Sequence, residues 1–173
     1  MTSPKTEPRA GGSPAWRLFF LPAPVRYAPF MWRTLDHTAD VALEIEAAGW
    51  SELLEEAARA FGEWLSSGKL SQAPHETERE LLVSGTDRVE LWVHYWRALH
   101  RLWTVEGFLT AHARVAARAD GLAATARVGC VSAGALDPAH CLDVKAVTWH
   151  DARVEECLRA GERVWKGTIV LDL

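Results

Sequence analysis

The chain has 173 residues, 49% hydrophobic and 24% charged, an ordinary globular balance with enough apolar material for one core. Its formal net charge is −4 and its pI about 6.0, so it lacks the basic excess that supplies most nucleic-acid affinity, and any dealing with RNA is expected to be indirect. Cys130, Cys141 and Cys157 are an odd set without a C-x-x-C pair, which argues against a disulfide framework and a thiolate zinc site. No apolar run reaches the roughly 20 residues that a spanning helix needs. The expected compartment is the cytoplasm, with no membrane partner.

Residues 1–30 hold six of the eight prolines and no periodic apolar pattern, a composition that does not fold alone. They read as a disordered tail or an upstream read-through, with Met31 as the natural start of one domain, 31–173. From Met31 onward 15 Lys and Arg face 22 Asp and Glu, a formal net charge of −7.

A short strand is predicted near Trp32–Leu35, followed by the turn Asp36-His37-Thr38-Ala39-Asp40. Val41, Leu43 and Ile45 then share one face at period two, a second strand. Ser51 is the predicted N-cap of an amphipathic helix carrying Leu53, Leu54, Ala57, Phe61, Trp64 and Leu65, which Gly68 stops. Thr77, Leu81 and Val83 suggest a strand before Gly85. Asp87, with Glu90 three residues later, has capping-box spacing and opens a second helix whose stripe is Val89, Trp92, Val93, Trp96, Leu99 and Trp103. Arg97 and Arg101 fall on its other faces. Four strands are predicted at about 108–117, 122–131, 143–157 and 163–171, with Asp120-Gly121 favouring a hairpin. The order β-β-α-β-α followed by four strands is not a regular βαβ alternation. It predicts an α+β two-layer sandwich, with two amphipathic helices on one face of a mainly antiparallel or mixed sheet. Nine tryptophans are many for this length, and those at helical spacing read as core.

Chemistry-bearing residues fall in three places. The turn places Asp36, His37, Thr38 and Asp40 within five residues, and carboxylate oxygens suit hard cations such as Ca²⁺, Mg²⁺ or Mn²⁺ better than zinc. One loop rarely completes such a shell, so further ligands must come from elsewhere. On spacing alone an Asx-type turn, with both carboxylates accepting backbone N–H groups, is the more economical reading. The run Ile169-Val170-Leu171-Asp172-Leu173 sets Asp172 one residue from the carboxylate of Leu173, although a terminal acid is ordinarily just solvated. In Asp143–His150, alternation puts Asp143, Lys145, Val147 and Trp149 on one strand face. Lys145 suits a phosphate or a carboxylate, and a solvated face explains it equally well. There is no G-x-x-x-x-G-K-[ST], G-x-G-x-x-G, G-x-S-x-G or H-E-x-x-H motif, which argues against a familiar GTP loop or an independent hydrolase.

Leu35-Asp36-His37-Thr38-Ala39-Asp40-Val41, Val144-Lys145-Ala146-Val147-Thr148-Trp149-His150 and the run 169–173, in this order and spacing, resemble the archease family. Residues 50–57 are similar to the family's first helix, and the resemblance covers essentially all of 31–173. It implies a cytoplasmic protein, not itself an enzyme, that binds a divalent cation, Ca²⁺ first, with Mg²⁺ or Mn²⁺ as alternatives. It also implies a partner, an RtcB-type RNA ligase, whose guanylylation with GTP and multiple turnover in transfer-RNA splicing or RNA repair the protein promotes. RNA itself is met only through the ligase, and self-association is not readable. Carried over by motif, the implied metal ligands are Asp36, Asp40, Asp172 and the terminal carboxylate of Leu173. His37 and Thr38 then orient the carboxylates, and Lys145 meets a phosphate or Asp36. The chain departs from the family pattern at His140–Asp143, where Asp143 stands for a usual Glu, and at Trp149, where many members have Tyr.

Two other readings compete. A general chaperone or adaptor requires a large exposed apolar patch. A metal-dependent phosphoester hydrolase requires a general base beyond His37.

Overall fold

In the computed structural model, which describes residues 31–36, 40–70 and 77–173, the alternation at Val41, Leu43 and Ile45 forms a strand as expected. β1 (Met31–Asp36) and β2 (Asp40–Ala47) run antiparallel. β2 also pairs with β7 (Glu162–Asp172), and β7 with β6 (Ala146–Arg159), giving the sheet order β1-β2-β7-β6. The last strand in sequence thus lies inside this sheet, beside β2. Its core face carries Leu43, Ile45, Ile169 and Leu171, all buried. β6 and β7 meet at the two-residue loop Ala160-Gly161, whose φ angles of 52° and 89° have the sign that a type I′ hairpin turn requires.

The second sheet is β3 (Thr77–Ser84), β5 (Ala123–Ser132) and β4 (Phe108–Ala117) in the order β3-β5-β4, again antiparallel. The predicted Asp120-Gly121 hairpin is present, with Gly121 at φ 72° and Asp120 Oδ1 accepting from the Leu122 N–H at 2.9 Å. The α+β sandwich class holds, but the strands form two sheets, because β3 and β4 both pair with β5 and none of the three pairs with the first sheet. α1 (Trp50–Leu65) packs on β4 and β2, and α2 (Arg88–Thr104) on β6 and β3, so each helix touches both sheets. The expected core stripe of α2 is largely realised. Trp92 and Trp96 are fully buried and pack edge-on with ring centroids 5.6 Å apart, and Phe61 of α1 meets Trp96 at 5.4 Å. Burying each such ring contributes about 1.5–3 kcal/mol.

Local details refine three expectations. Asp87 caps α2, accepting from the Glu90 N–H at 2.8 Å, but Glu90 reaches back to the N–H and hydroxyl of Thr86 and not to the cap residue itself. α1 starts two residues earlier than predicted, with Gly49 at the cap position in place of Ser51 and no side-chain cap. Trp50 packs on Trp165 with centroids 5.5 Å apart, drawing the first turn back, and Ser51 Oγ instead accepts from the Ala117 N–H of β4 at 3.4 Å. β6 begins at Ala146, three residues later than predicted, and the alternation expected from Asp143 fails: Val144 and Val147 are both buried, because the segment before β6 also docks against α2, where His100 meets the Val144 carbonyl.

Candidate functional site

Residues directly opposite each other in an antiparallel pair share one face of the sheet, with Cβ atoms about 4.5–5.5 Å apart. The register of β2 with β7 sets Asp40 opposite Asp172, and Ala42–Val170 and Glu44–Thr168 follow on the same face. Two acidic segments from opposite ends of the domain are thereby side by side. From β6, Ala146 stands opposite Asp172, and its methyl group leaves room beside the carboxylate.

The two acidic positions on this face are treated differently. Glu44 is bridged by Arg33 and Lys166, each at 2.7 Å. Burial alone would raise its pKa, but the hydrogen bonds and charges of Lys166 and Arg33 outweigh that and hold the carboxyl below its ordinary range. Asp40 and Asp172, half-buried, have no cationic side chain paired with them among the described residues. Like charges directly opposite each other on a sheet are destabilising, and a cation between them reverses the sign. The donor set, oxygen only, is the kind that hard divalent ions take.

Not every predicted site residue is brought to this pair. Lys145 donates its Nζ to an oxygen of the Leu173 terminal carboxylate at 2.5 Å and its backbone N–H to the Asp172 carbonyl at 2.9 Å. It therefore ties down the end of β7 and forms no ion pair with a carboxylate side chain among the described residues. The backbone of Asp36 pairs with Val41, one residue from Asp40. The Asp36 side chain, His37 and Thr38 lie outside the described residues. Among the described residues there is no group of three or more His, Cys, Asp and Glu placed to hold a metal, so the described part of the site is the Asp40–Asp172 pair with the Leu173 oxygen beside it. The departing loop His140–Asp143 leads elsewhere: Pro138, Cys141, Leu142 and Asp143 line a groove of about 420 Å³ with Trp103.

Two positioning residues escaped the sequence reading. His100 of α2 sets Nε2 2.7 Å from the Val144 carbonyl, and since a carbonyl only accepts, that nitrogen carries the proton. Arg97, one turn earlier, donates to the Val147 carbonyl at 3.4 and 3.5 Å. Together they hold the segment that delivers Lys145 and Ala146 to β7. Their only sequence signal was two donors on one side of α2, away from its core stripe.

No helix among the described residues is long and apolar enough to cross a membrane. The fold is similar to the solution structure of Methanobacterium thermoautotrophicum protein 1598, with a TM-score of 0.62 and 23% identity across 82% of this chain and 98% of that one. At that identity the likeness concerns the fold alone. Protein archease of Methanopyrus kandleri is 32% identical over 150 residues, spanning 82% of this chain and 99% of that protein. The model of the Archease protein family matches residues 32–173, a span that includes the first motif, the Lys145 segment and the end of β7. With relative and family model both spanning the two-sheet domain, this chain belongs to the archease family.

Proposed function

We propose that this chain is a metal-binding activator of an RtcB-type RNA ligase, promoting the ligase's guanylylation with GTP and its turnover in transfer-RNA splicing or RNA repair. The observation that carries the reading is the opposition of Asp40 and Asp172 across β2 and β7, two carboxylates without a cationic side chain on a face where Glu44 has two. Asp36, Asp40, Asp172 and the Leu173 carboxylate would hold the ion, with His37 and Thr38 orienting the carboxylates of the turn. A bound Ca²⁺, or Mg²⁺ or Mn²⁺ in its place, supplies positive charge that offsets crowded phosphate and carboxylate oxygens.

This chain's own residues then have two tasks. The β2–β7 ladder keeps the carboxylates at a fixed separation, so they are already positioned when the partner arrives. Lys145, His100 and Arg97 hold the β6 segment and the end of β7 against α2, so the acidic edge does not fray. The covalent step belongs to the ligase: its histidine takes guanylate from GTP, and pyrophosphate leaves. The chaperone reading finds less support, because the exposed large apolar residues among those described, Leu82, Val105, Trp149, Leu158 and Leu173, are spread over β3, the end of α2, β6 and the end of β7, whereas client binding calls for one large patch.

The test is a guanylylation assay with an RtcB-type ligase, GTP and a divalent ion, comparing wild type with Asp40→Ala, Asp36→Ala and a form lacking Leu173. Wild type should stimulate, and all three variants should lose most of the stimulation. An inert wild type would overturn the activator reading, whereas full activity in all three variants would leave the function standing and remove the site.

A further inference from the structure

Pairing of β6 with β7 breaks after Thr148, which stands opposite Val170, and resumes at Arg153 opposite Thr168, so Trp149 to Ala152 oppose Ile169 alone. Bulges re-aim side chains. This one, with Asp151 at φ 51°, leaves Trp149 47% exposed, whereas Trp92 and Trp96 of the adjoining helix are fully buried. A large exposed aromatic is the informative exception in a soluble fold, and this ring is held in place. The His94 ring meets it edge-on at 6.1 Å, and His94 is itself fixed by donating its Nδ1 proton to the Ser84 carbonyl at 2.7 Å. The Arg97 guanidinium carbon lies 5.5 Å from the indole centroid.

The local charges are unequally satisfied. Asp151 is met by Arg153 at 3.0 Å and by His150 at 3.2 Å. Arg97 has two long contacts with the Val147 carbonyl and its cation–π contact with the Trp149 ring, and no carboxylate partner among the described residues. What remains is a half-exposed indole with a guanidinium over its ring and no carboxylate among the described residues to neutralise that charge.

We propose that Trp149 and Arg97 form a seat for a single nucleotide, its base stacked on the indole and a phosphate paired with the guanidinium. An apolar partner would bury Arg97 without a counter-charge, and an acidic peptide would use Arg97 but leave the indole face unmatched. A nucleotide satisfies both groups. The chain's net charge of −4 excludes a long electrostatic track for nucleic acid, yet a one-nucleotide seat needs none. The ligand is either a free mononucleotide or the terminal nucleotide of an RNA, which offer the same chemistry. The seat is three residues along β6 from Ala146, the residue opposite Asp172, about 10 Å at strand spacing. It rests on the bulge geometry and does not depend on the ligase reading.

The test is direct binding by the full chain, labelled with ¹⁵N at tryptophan, with the Trp149 indole resonance assigned from Trp149→Phe. GMP, a five-nucleotide single-stranded RNA and inorganic phosphate are titrated separately. GMP or the RNA should shift the Trp149 resonance and leave those of Trp92 and Trp96 in place. Trp149→Ala should weaken binding by about fivefold or more, Arg97→Gln by a similar factor, and Trp149→Phe, which keeps a π face, by less. A stronger response to GMP identifies the free nucleotide, and a stronger response to the oligomer identifies the RNA end. The proposal is overturned if neither ligand moves Trp149 at millimolar concentration, if Trp149→Ala binds as wild type does, or if inorganic phosphate alone reproduces the shift.

Discussion

Asp40→Asn should change the sign of its effect on stability when a cation is added. Asn has nearly the volume of Asp, so the substitution removes charge without opening a cavity. With carboxylates about 5 Å apart across the β2–β7 pair, Coulomb repulsion is about 0.8 kcal/mol in water-like surroundings and about 3 kcal/mol at an effective dielectric of 20. The pair is half-buried and partly screened by salt, so about 1 kcal/mol is the working figure. In chelator the variant should therefore be more stable than wild type, by about 3 °C in Tm for a domain of this size. Adding Ca²⁺ at about 100 times its Kd should stabilise wild type by about 2.7 kcal/mol and the variant by much less, since one of two opposed donors has lost its charge. The order of the two melting curves should thus invert between chelator and Ca²⁺, as followed by calorimetry. Lower stability of Asp40→Asn in chelator, or no inversion with Ca²⁺, Mg²⁺ or Mn²⁺, would refute the view that this pair is a strained anion site relieved by a cation.

Other outcomes follow from the packing and the caps. A Cβ at Gly167 would lie 2.7 Å from the buried ring of Trp92, so Gly167→Ala should cost about 1–3 kcal/mol in urea unfolding. Asp87→Ala removes the acceptor for the Glu90 N–H and should cost about 1 kcal/mol in the same measurement. The carboxyl of Glu44 is held below its ordinary value of 4.5. Its stabilising contribution is therefore present above that pH and lost as pH falls through the lower folded value. Glu44→Gln should accordingly lower Tm near neutral pH and converge with wild type in acid. Glu55, half-buried against β4 and accepting from the Val115 N–H at 2.8 Å, is pushed the other way: its partial burial raises its pKa above 4.5. Its contribution is present below 4.5 and fades as pH rises, so Glu55→Gln, which keeps the acceptor, should raise Tm near neutral pH relative to wild type.

Much of the fold was legible because its signals are local. α2 announces itself through Trp92, Val93, Trp96 and Leu99 on one helical face and through Asp87 at its start, and the Asp120-Gly121 hairpin through two residues. Such features depend on neighbours within one or two turns of chain, which sequence periodicity reports directly. Ser51 misled for a related reason: a residue able to cap the helix is outweighed when Trp50, one position earlier, is drawn onto Trp165 by burial that no local pattern records.

The candidate site divides along the same line. Composition and spacing singled out Asp40 and Asp172 as acids at strand ends, and the archease resemblance implied that they act together, but their opposition on one face is a property of the β2–β7 register. The division of the seven described strands into two sheets is likewise set by long-range pairing. Pairing between distant strands is chosen by whole-core packing and not by either strand alone, which is why only the tertiary structure decides it. The exposed Trp149 makes the same point in reverse: its residue type suggests core, and it is the break in pairing between Thr148 and Arg153 that turns it outward beside Arg97.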